Sequence, residues 1–276
     1  MKVEFAKYHG LGNDFIIVDN RNGCYDDVMR SPYMRRAFCC RKTGIGADGI
    51  LEMKQSCSAT AGCEVRLVYF NADGEEGSFC GNGGRCFVEF AIRKGVPLID
   101  GCLVFEAFDG VHKGRRCRCD NYIELEMNDV TGIKEYENGD YFVNTGSPHH
   151  VRFVTNVKQC DVRQLGREIA WGKLYRAKGC NVNFVQETDA GGFVRTYERG
   201  VENETLACGT GITAVALVLH KRRHGTTAHG TFSDVISCSG GSAEVSFATD
   251  DGCVFYNVRL MGPVCHVFDG VIIHST

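Results

Sequence analysis

The sequence predicts an α+β fold of two pseudo-symmetric domains, each a curled, antiparallel-rich, barrel-like sheet around a central helix, with the chemistry in the cleft between them. Three observations lead there. The chain repeats itself at an offset of about 134 residues, and a repeat of that kind marks a duplicated structural unit even where few residues match. Two segments, Cys80-Gly-Asn-Gly-Gly84 and Cys208-Gly-Thr-Gly211, each open a helical pattern. Glycine is abundant, 34 of 276 residues against roughly 7% in an average protein, so many turns with positive φ and close backbone approaches are expected.

In chain order, Phe5 to Val18 reads as strand, glycine turn, strand, and Tyr141 to Val154 reads the same way; Gly12 and Gly146 differ by 146 − 12 = 134. A helical stretch follows in each half, around Asp27 to Arg41 and around Asp161 to Arg176, then a strand, Gly49 to Met53 against Asn183 to Glu187, again 134 apart. Glu64 to Phe70 alternates as a strand, a polar turn spans Asn71 to Ser78, and a helix runs from the Cys80 corner to Lys94, stopped by Gly95. The later counterpart is the strand Phe193 to Tyr197, the turn Glu198 to Thr205, and a helix from Ile212 to His224 stopped by Gly225. Ile212 to Leu219 is apolar all round, as suits a helix surrounded by protein. Short strands are expected at Leu103 to Ala107, Tyr122 to Met127, Ala243 to Phe247 and Cys253 to Leu260. The division is residues 1–118 plus 263–276 for the first domain and 119–262 for the second.

Composition narrows the function. The formal charge of −3 lacks the basic excess of a nucleic-acid binder. No apolar run reaches membrane-spanning length and residues 1–19 do not read as a signal peptide, so a cytoplasmic enzyme with reduced thiols and no membrane partner is expected. Sixteen cysteines include no pair three apart; Cys117 and Cys119 are two apart, Cys39 and Cys40 adjacent, and no metal-ligand spacing results. Of the sixteen, only Cys80 and Cys208 precede glycine.

That position has chemical consequences. A helix N-terminus offers unpaired N–H groups and the positive end of its dipole to an anion, and glycine lets the anion approach. The same features stabilise a thiolate. Two such corners facing each other would place a thiol on each side of a bound carboxylate, the arrangement needed to remove an α-proton from one face and deliver one to the other. Opposed helix ends in a dry cleft would stabilise the resulting carbanion with no pyridoxal or other cofactor.

The ordered set HGLGNDF at 9–15, FNADG at 70–74, CGNGGRC at 80–86, YERG at 197–200, ACGTG at 207–211 and GPVCHVFDG at 262–270 resembles the diaminopimelate epimerase family over essentially the whole chain. The resemblance implies a cofactor-independent isomerase interconverting LL- and meso-diaminopimelate for lysine and peptidoglycan synthesis, and a homodimer. It implies that Cys80 and Cys208 are the catalytic acid and base, and that Gly81, Asn82, Gly209 and Thr210 cradle the reacting carboxylate. It also implies that Asn13, Asn71, Asn181, Glu198 and Arg199 bind substrate, and that His149 with Glu198 tunes the thiols. An arginine fork at 199 suits a distal carboxylate.

The chain departs from the family at four places. Gly49 stands where an amide is common and Ser147 where Asn is, so two substrate hydrogen bonds are expected to be missing or water-mediated. The turn from Glu198 to Cys208 is one residue longer, and Phe268 replaces a tyrosine frequent near the dimer contact. GIGADG at 44–49 fits a dinucleotide fingerprint, yet Ile50 to Met53 reads as strand where that motif needs a helix. The competing functions are racemisation of histidine, proline or hydroxyproline and, from another class, thiol redox or metal binding through His149, His150 and the cysteines.

Overall fold

A computed structural model of the chain describes residues 2–56, 62–117, 121–226 and 229–273. The expected domain boundary at 118/119, and Cys119, lie outside the described residues. The chain divides into two compact units, one formed by residues up to Leu125 together with Pro263 onward, the other by Glu126–Gly262.

In the first unit β1 (Lys2–Gly10) and β2 (Asn13–Asp19) form a hairpin, followed by the short helices α1 (Asp26–Met29) and α2 (Pro32–Cys39), β3 (Gly49–Gln55) and β4 (Val65–Asn71). The central helix α3 (Gly81–Arg93) comes next, then β5 (Leu103–Ala107), β6 (Gly110–Arg116) and β7 (Tyr122–Glu126). Pairing runs β1 to β7 in sequence, antiparallel except that β2–β3 and β4–β5 are parallel. Helix α3 packs against every strand from β1 to β6. One helix can touch six successive strands only if the sheet curls round it.

The second unit begins with the two-residue strands β8 (Val130–Thr131) and β9 (Lys134–Glu135), then β10 (Tyr141–Asn144), β11 (Pro148–Phe153), α4 (Val162–Ala170), β12 (Asn181–Thr188) and β13 (Gly191–Glu198). After β14 (Asn203–Thr205) come the central helix α5 (Gly209–His224), β15 (Gly230–Cys238), β16 (Gly241–Thr249) and β17 (Val254–Pro263). The order β10-β11-β12-β13-β15-β16-β17 repeats the first unit, parallel only at β11–β12 and β13–β15. Helix α5 packs on β10, β11, β12, β13, β15 and β16. The last strand, β18 (Cys265–Ile273), returns to the first unit and pairs with β1. The duplication and the curled, antiparallel-rich sheets around a central helix are as the sequence predicts.

The apolar segment of α5 is buried on every side from Gly209 to His220. Three local expectations need correction. The single helix predicted around 27–41 is broken, because Pro32 disfavours helical backbone at Ser31. Ser31 is extended and its hydroxyl instead caps α2 by accepting from the Met34 amide. The turn predicted over 198–205 contains β14, a strand paired antiparallel with the end of β13.

The third correction concerns the repeat offset. Phe15 pairs with Gly49 and His149 with Asn181. A side chain at Gly83, on α3, would meet Leu51, and one at Gly211, on α5, would meet Asn183. The β3 and β12 strands are therefore related by 183 − 51 = 132, not 134.

The GIGADG segment has a structural task. Ile45 and Gly46 donate their amides to the Phe38 carbonyl and Ala47 donates to that of Cys39, so the loop caps the C-terminal carbonyls of α2. Gly44 lies so close to the Ala37 carbonyl that no side chain fits there.

Candidate active site

Both candidate cysteines are the residues that begin a central helix. Cys80 has extended backbone (φ −114°, ψ 118°) and its sulfur accepts from the Gly83 amide at 3.5 Å. Cys208 has nearly the same backbone (φ −123°, ψ 112°) at the start of α5. Cys80 is half-buried and Cys208 buried.

At the first corner the Cys80 sulfur lies 3.6 Å from Asn13 Oδ1, which also accepts from Asn82 Nδ2 at 3.3 Å. Asn13 is held at the start of β2 by donating to Asp48 Oδ2 at 2.9 Å. Asn82 is fully buried, and its Oδ1 accepts from the equally buried Arg85 at 2.8 Å. Gly81 and Asn82 are thus the first turn of α3, beside the thiol. Behind them Asp14 binds Arg41 and Lys7; burial would raise its carboxyl, but those hydrogen bonds and charges outweigh it and pull the pKa down to about 2. Asn71 ends β4 opposite Gly49. The space a side chain at 49 would enter is filled by Tyr69 and the Phe70 carbonyl, 2.6 and 2.5 Å from an added Cβ. That accounts for glycine where an amide was expected.

The second corner is a buried polar cluster. Thr210 Oγ1 lies 3.5 Å from the Cys208 sulfur and 2.9 Å from His149 Nε2. His149 is fully buried, and burial, with the charge of Arg199 added, pushes its pKa down to about 3, so the ring is neutral near pH 7. Asn183 Nδ2 sits 3.2 Å from His149 Nδ1. Asn181 donates to Ser147 Oγ at 2.8 Å and accepts the Arg199 amide at 2.9 Å. The Ser147 hydroxyl therefore takes up an Asn181 hydrogen. Glu198, at the end of β13, accepts from the Thr205 hydroxyl on β14. Arg199 is exposed, with Nη1 bonded to the Lys178 carbonyl at 2.9 Å. The first-turn carbonyls of α5 are occupied, Thr210's by Thr145 and Gly209's by Thr213.

The structure so gathers Cys80, Gly81, Asn82 and Asn13 at one corner, and Cys208, Gly209, Thr210, His149 and Asn181 at the other, with Arg199 tied in through its backbone. Asn71 and Glu198 stand at strand ends in each unit, and the hydrogen bonds found for Glu198 and His149 lead to different partners. Sequence reasoning missed Asp48, Thr205, Thr196 and Asn183. For Asn183 a signal existed, a second asparagine within the otherwise apolar run Val182 to Val185. Among the described residues no three His, Cys, Asp or Glu side chains converge as a metal set would, and no helix is long and apolar enough to cross a membrane.

Comparison with known proteins gives a consistent placement. The family model for diaminopimelate epimerase matches residues 5–104 and 141–267. The chain is 40% identical over 271 residues to a diaminopimelate epimerase of Flavobacterium psychrophilum, covering 98% of this chain and 100% of that one. By shape it is similar to a phenazine biosynthesis protein of the PhzF family from Bacillus anthracis (TM-score 0.76, 12% identity, 99% and 100% of the two chains). It is likewise similar to a hydroxyproline epimerase from Agrobacterium vitis (TM-score 0.68, 14% identity, 98% and 92%). At such low identity these two speak for the fold alone.

Proposed function

The chain belongs to the diaminopimelate epimerase family, and we propose on that premise that it interconverts LL-2,6-diaminopimelate and meso-diaminopimelate by a two-base route. One thiol of Cys80 and Cys208 takes the α-proton and the other returns a proton to the opposite face; their roles exchange with direction. The observation that carries this is the duplicated corner, a thiol starting a buried glycine-rich helix in each unit.

The chemistry rests on charge placement. An α-proton is far less acidic than a thiol, so the enzyme must stabilise charge growing on the substrate carboxylate. The first-turn amides at Gly81, Asn82, Gly209 and Thr210 are suited to that task, since N–H groups there have no partner within their own helix. Asn13 and Asn82 offer amide groups beside Cys80, while Asn71, Asn181 and Arg199 are assigned to the distal amino-acid end. Arg199 keeps a five-donor fork, of which Nη1 is bonded to the Lys178 carbonyl. His149 and Glu198 are assigned to tuning the thiols. The scheme uses no cofactor. A homodimer in the cytoplasm, feeding lysine and peptidoglycan synthesis, completes the proposal.

The test is stereochemical assay of purified protein with LL-diaminopimelate, histidine, proline and hydroxyproline side by side. Formation of meso-diaminopimelate and no racemisation of the others is expected. Racemisation of histidine or a proline without turnover of diaminopimelate would replace this function with the related one.

A further inference from the structure

The two corners share a backbone but not a lining. Where the first unit has Phe15, Leu51 and Tyr69, the second has His149, Asn183 and Thr196. The correspondence follows from register: Leu51 pairs with Tyr69 and faces Gly83, while Asn183 pairs with Thr196 and faces Gly211. A polar set wholly inside the protein persists only if its hydrogen bonds are satisfied, and the way they are satisfied here fixes a proton.

Asn183 is fully buried and its amide orientation is fixed by the one partner that can only accept, the His150 carbonyl. Its Oδ1 accepts from Thr196 Oγ1 at 3.0 Å, and its Nδ2 donates to that carbonyl at 3.0 Å. The NH2 group therefore also faces His149 Nδ1, at 3.2 Å. A neutral imidazole has one donor and one acceptor nitrogen. With an amide donor against Nδ1, that nitrogen accepts and the ring proton sits on Nε2. Asn181 Nδ2 gives one hydrogen to Ser147 at 2.8 Å and approaches Nε2 only at 3.5 Å, a longer contact than that of Asn183 with Nδ1 at 3.2 Å or of Thr210 with Nε2 at 2.9 Å.

The Nε2–H group then donates to Thr210 Oγ1 at 2.9 Å. A hydroxyl that accepts from the ring keeps its own hydrogen, and Cys208 Sγ is 3.5 Å away. In the opposite tautomer Nε2 would accept that hydrogen, leaving hydroxyl lone pairs against the sulfur. We propose that Asn183, held by Thr196 and the His150 carbonyl, is a positioning residue that locks His149 in the Nε2–H form and so reserves the Thr210 hydroxyl hydrogen for the Cys208 thiolate. In the first unit Leu51 and Phe15 occupy the places equivalent to Asn183 and His149, and neither side chain can donate or accept a hydrogen bond. The duplicated thiols are thereby set differently, one by amide side chains and one through a hydroxyl under histidine control. Arg199 is the charged neighbour that bears on His149.

This inference rests on Cys208 being a reacting thiol, but its test needs no turnover of diaminopimelate, so the two can fail separately. Protein labelled with 15N-histidine, with His149 assigned by loss of its signals in His149→Gln, should show a protonated Nε2 and an unprotonated Nδ1; the reverse pattern overturns the proposal. In parallel, the pH dependence of iodoacetamide alkylation is followed at the Cys208 and Cys80 peptides by mass spectrometry. Asn183→Leu should raise the Cys208 midpoint by about one unit, roughly a tenfold loss of thiolate at fixed pH, with Cys80 unmoved. Thr196→Val should move it in the same direction, Thr210→Ser should keep the original value, and Asn183→Leu combined with Thr210→Val should do no more than Thr210→Val alone. Folded Asn183→Leu and Thr196→Val proteins with an unchanged Cys208 midpoint would assign Asn183 a packing role and overturn the proposal.

Discussion

His149 couples the site to stability as well as to chemistry. Its proton affinity in the folded protein is far below that of an unfolded histidine, whose pKa is about 6.5, because burial and Arg199 oppose the charged ring. Between that value and about 3 the unfolded chain binds a proton that the native state refuses. The contribution is thus fully present above pH 6.5 and is lost as pH falls, by up to about 1.4 kcal/mol per pH unit. Denaturant titrations at pH 6.5, 5.5 and 4.5 should show a shallower decline in His149→Gln than in the parent; parallel declines would mean the native ring is readily protonated. His220 offers a contrasting case. It lies among Phe232, Phe247 and Phe255 with Nε2 buried and without a hydrogen-bond partner among the described residues. Burial, with His224 adding to it, pushes its pKa down to about 4. Replacing an unsatisfied polar atom by an apolar group should stabilise by about 1 kcal/mol, so His220→Leu is expected to raise Tm. At this scale the thiols and their glycines were legible because cysteine followed by glycine occurs only twice. Asn183 was marked only as an asparagine within an apolar run, and its pairing with Thr196 was not legible, because a cross-strand hydrogen bond is not revealed by spacing along the chain.

The central helices show how one element pattern takes on two linings. Gly83 and Gly211 occupy the same place, three residues after the cysteine. An added methyl at Gly83 would come 3.2 Å from Leu51 Cδ2, a flexible tip, and 3.6 Å from Cys80 Cβ. At Gly211 it would come 2.6 Å from Asn183 Oδ1 and 3.3 Å from the Cys208 sulfur. Gly83→Ala should therefore be nearly neutral, the better helix propensity of alanine (about 1 kcal/mol) offsetting mild crowding. Gly211→Ala should cost about 1–3 kcal/mol and depress turnover as well. Equal effects in chemical denaturation of the two variants would contradict the asymmetry. The all-apolar face of α5 announced its surrounded position in the sequence. The break between α1 and α2 was also written there, in Pro32, but the hydrophobic pattern runs across it. Strand β14 escaped notice because three polar residues, Asn203 to Thr205, resemble a turn until they pair with β13.

The whole molecule is a duplication whose strand order and parallel steps repeat at an offset that falls from 134 at β2 and β11 to 132 at β3 and β12 and 128 at the two cysteines, and that order was legible from glycine turns and strand runs. What the sequence hid was the two-residue drift in offset at β12, which decides that Asn183 answers to Leu51. The repeated fold explains why each unit brings a thiol at a helix start; the divergent linings explain how two similar units come to hold their thiols differently. Removing either thiol should abolish epimerisation, by about 10²–10⁴-fold for loss of an acid or base, and Cys80→Ala and Cys208→Ala test this separately. The most direct measurement of the central claim is turnover of LL-diaminopimelate in D2O with analysis at early times. Two thiols acting from opposite faces predict meso product carrying deuterium at the inverted carbon while the remaining LL substrate is still unlabelled. Product that keeps the original protium, or label that returns to the LL substrate as fast as it enters product, would contradict it.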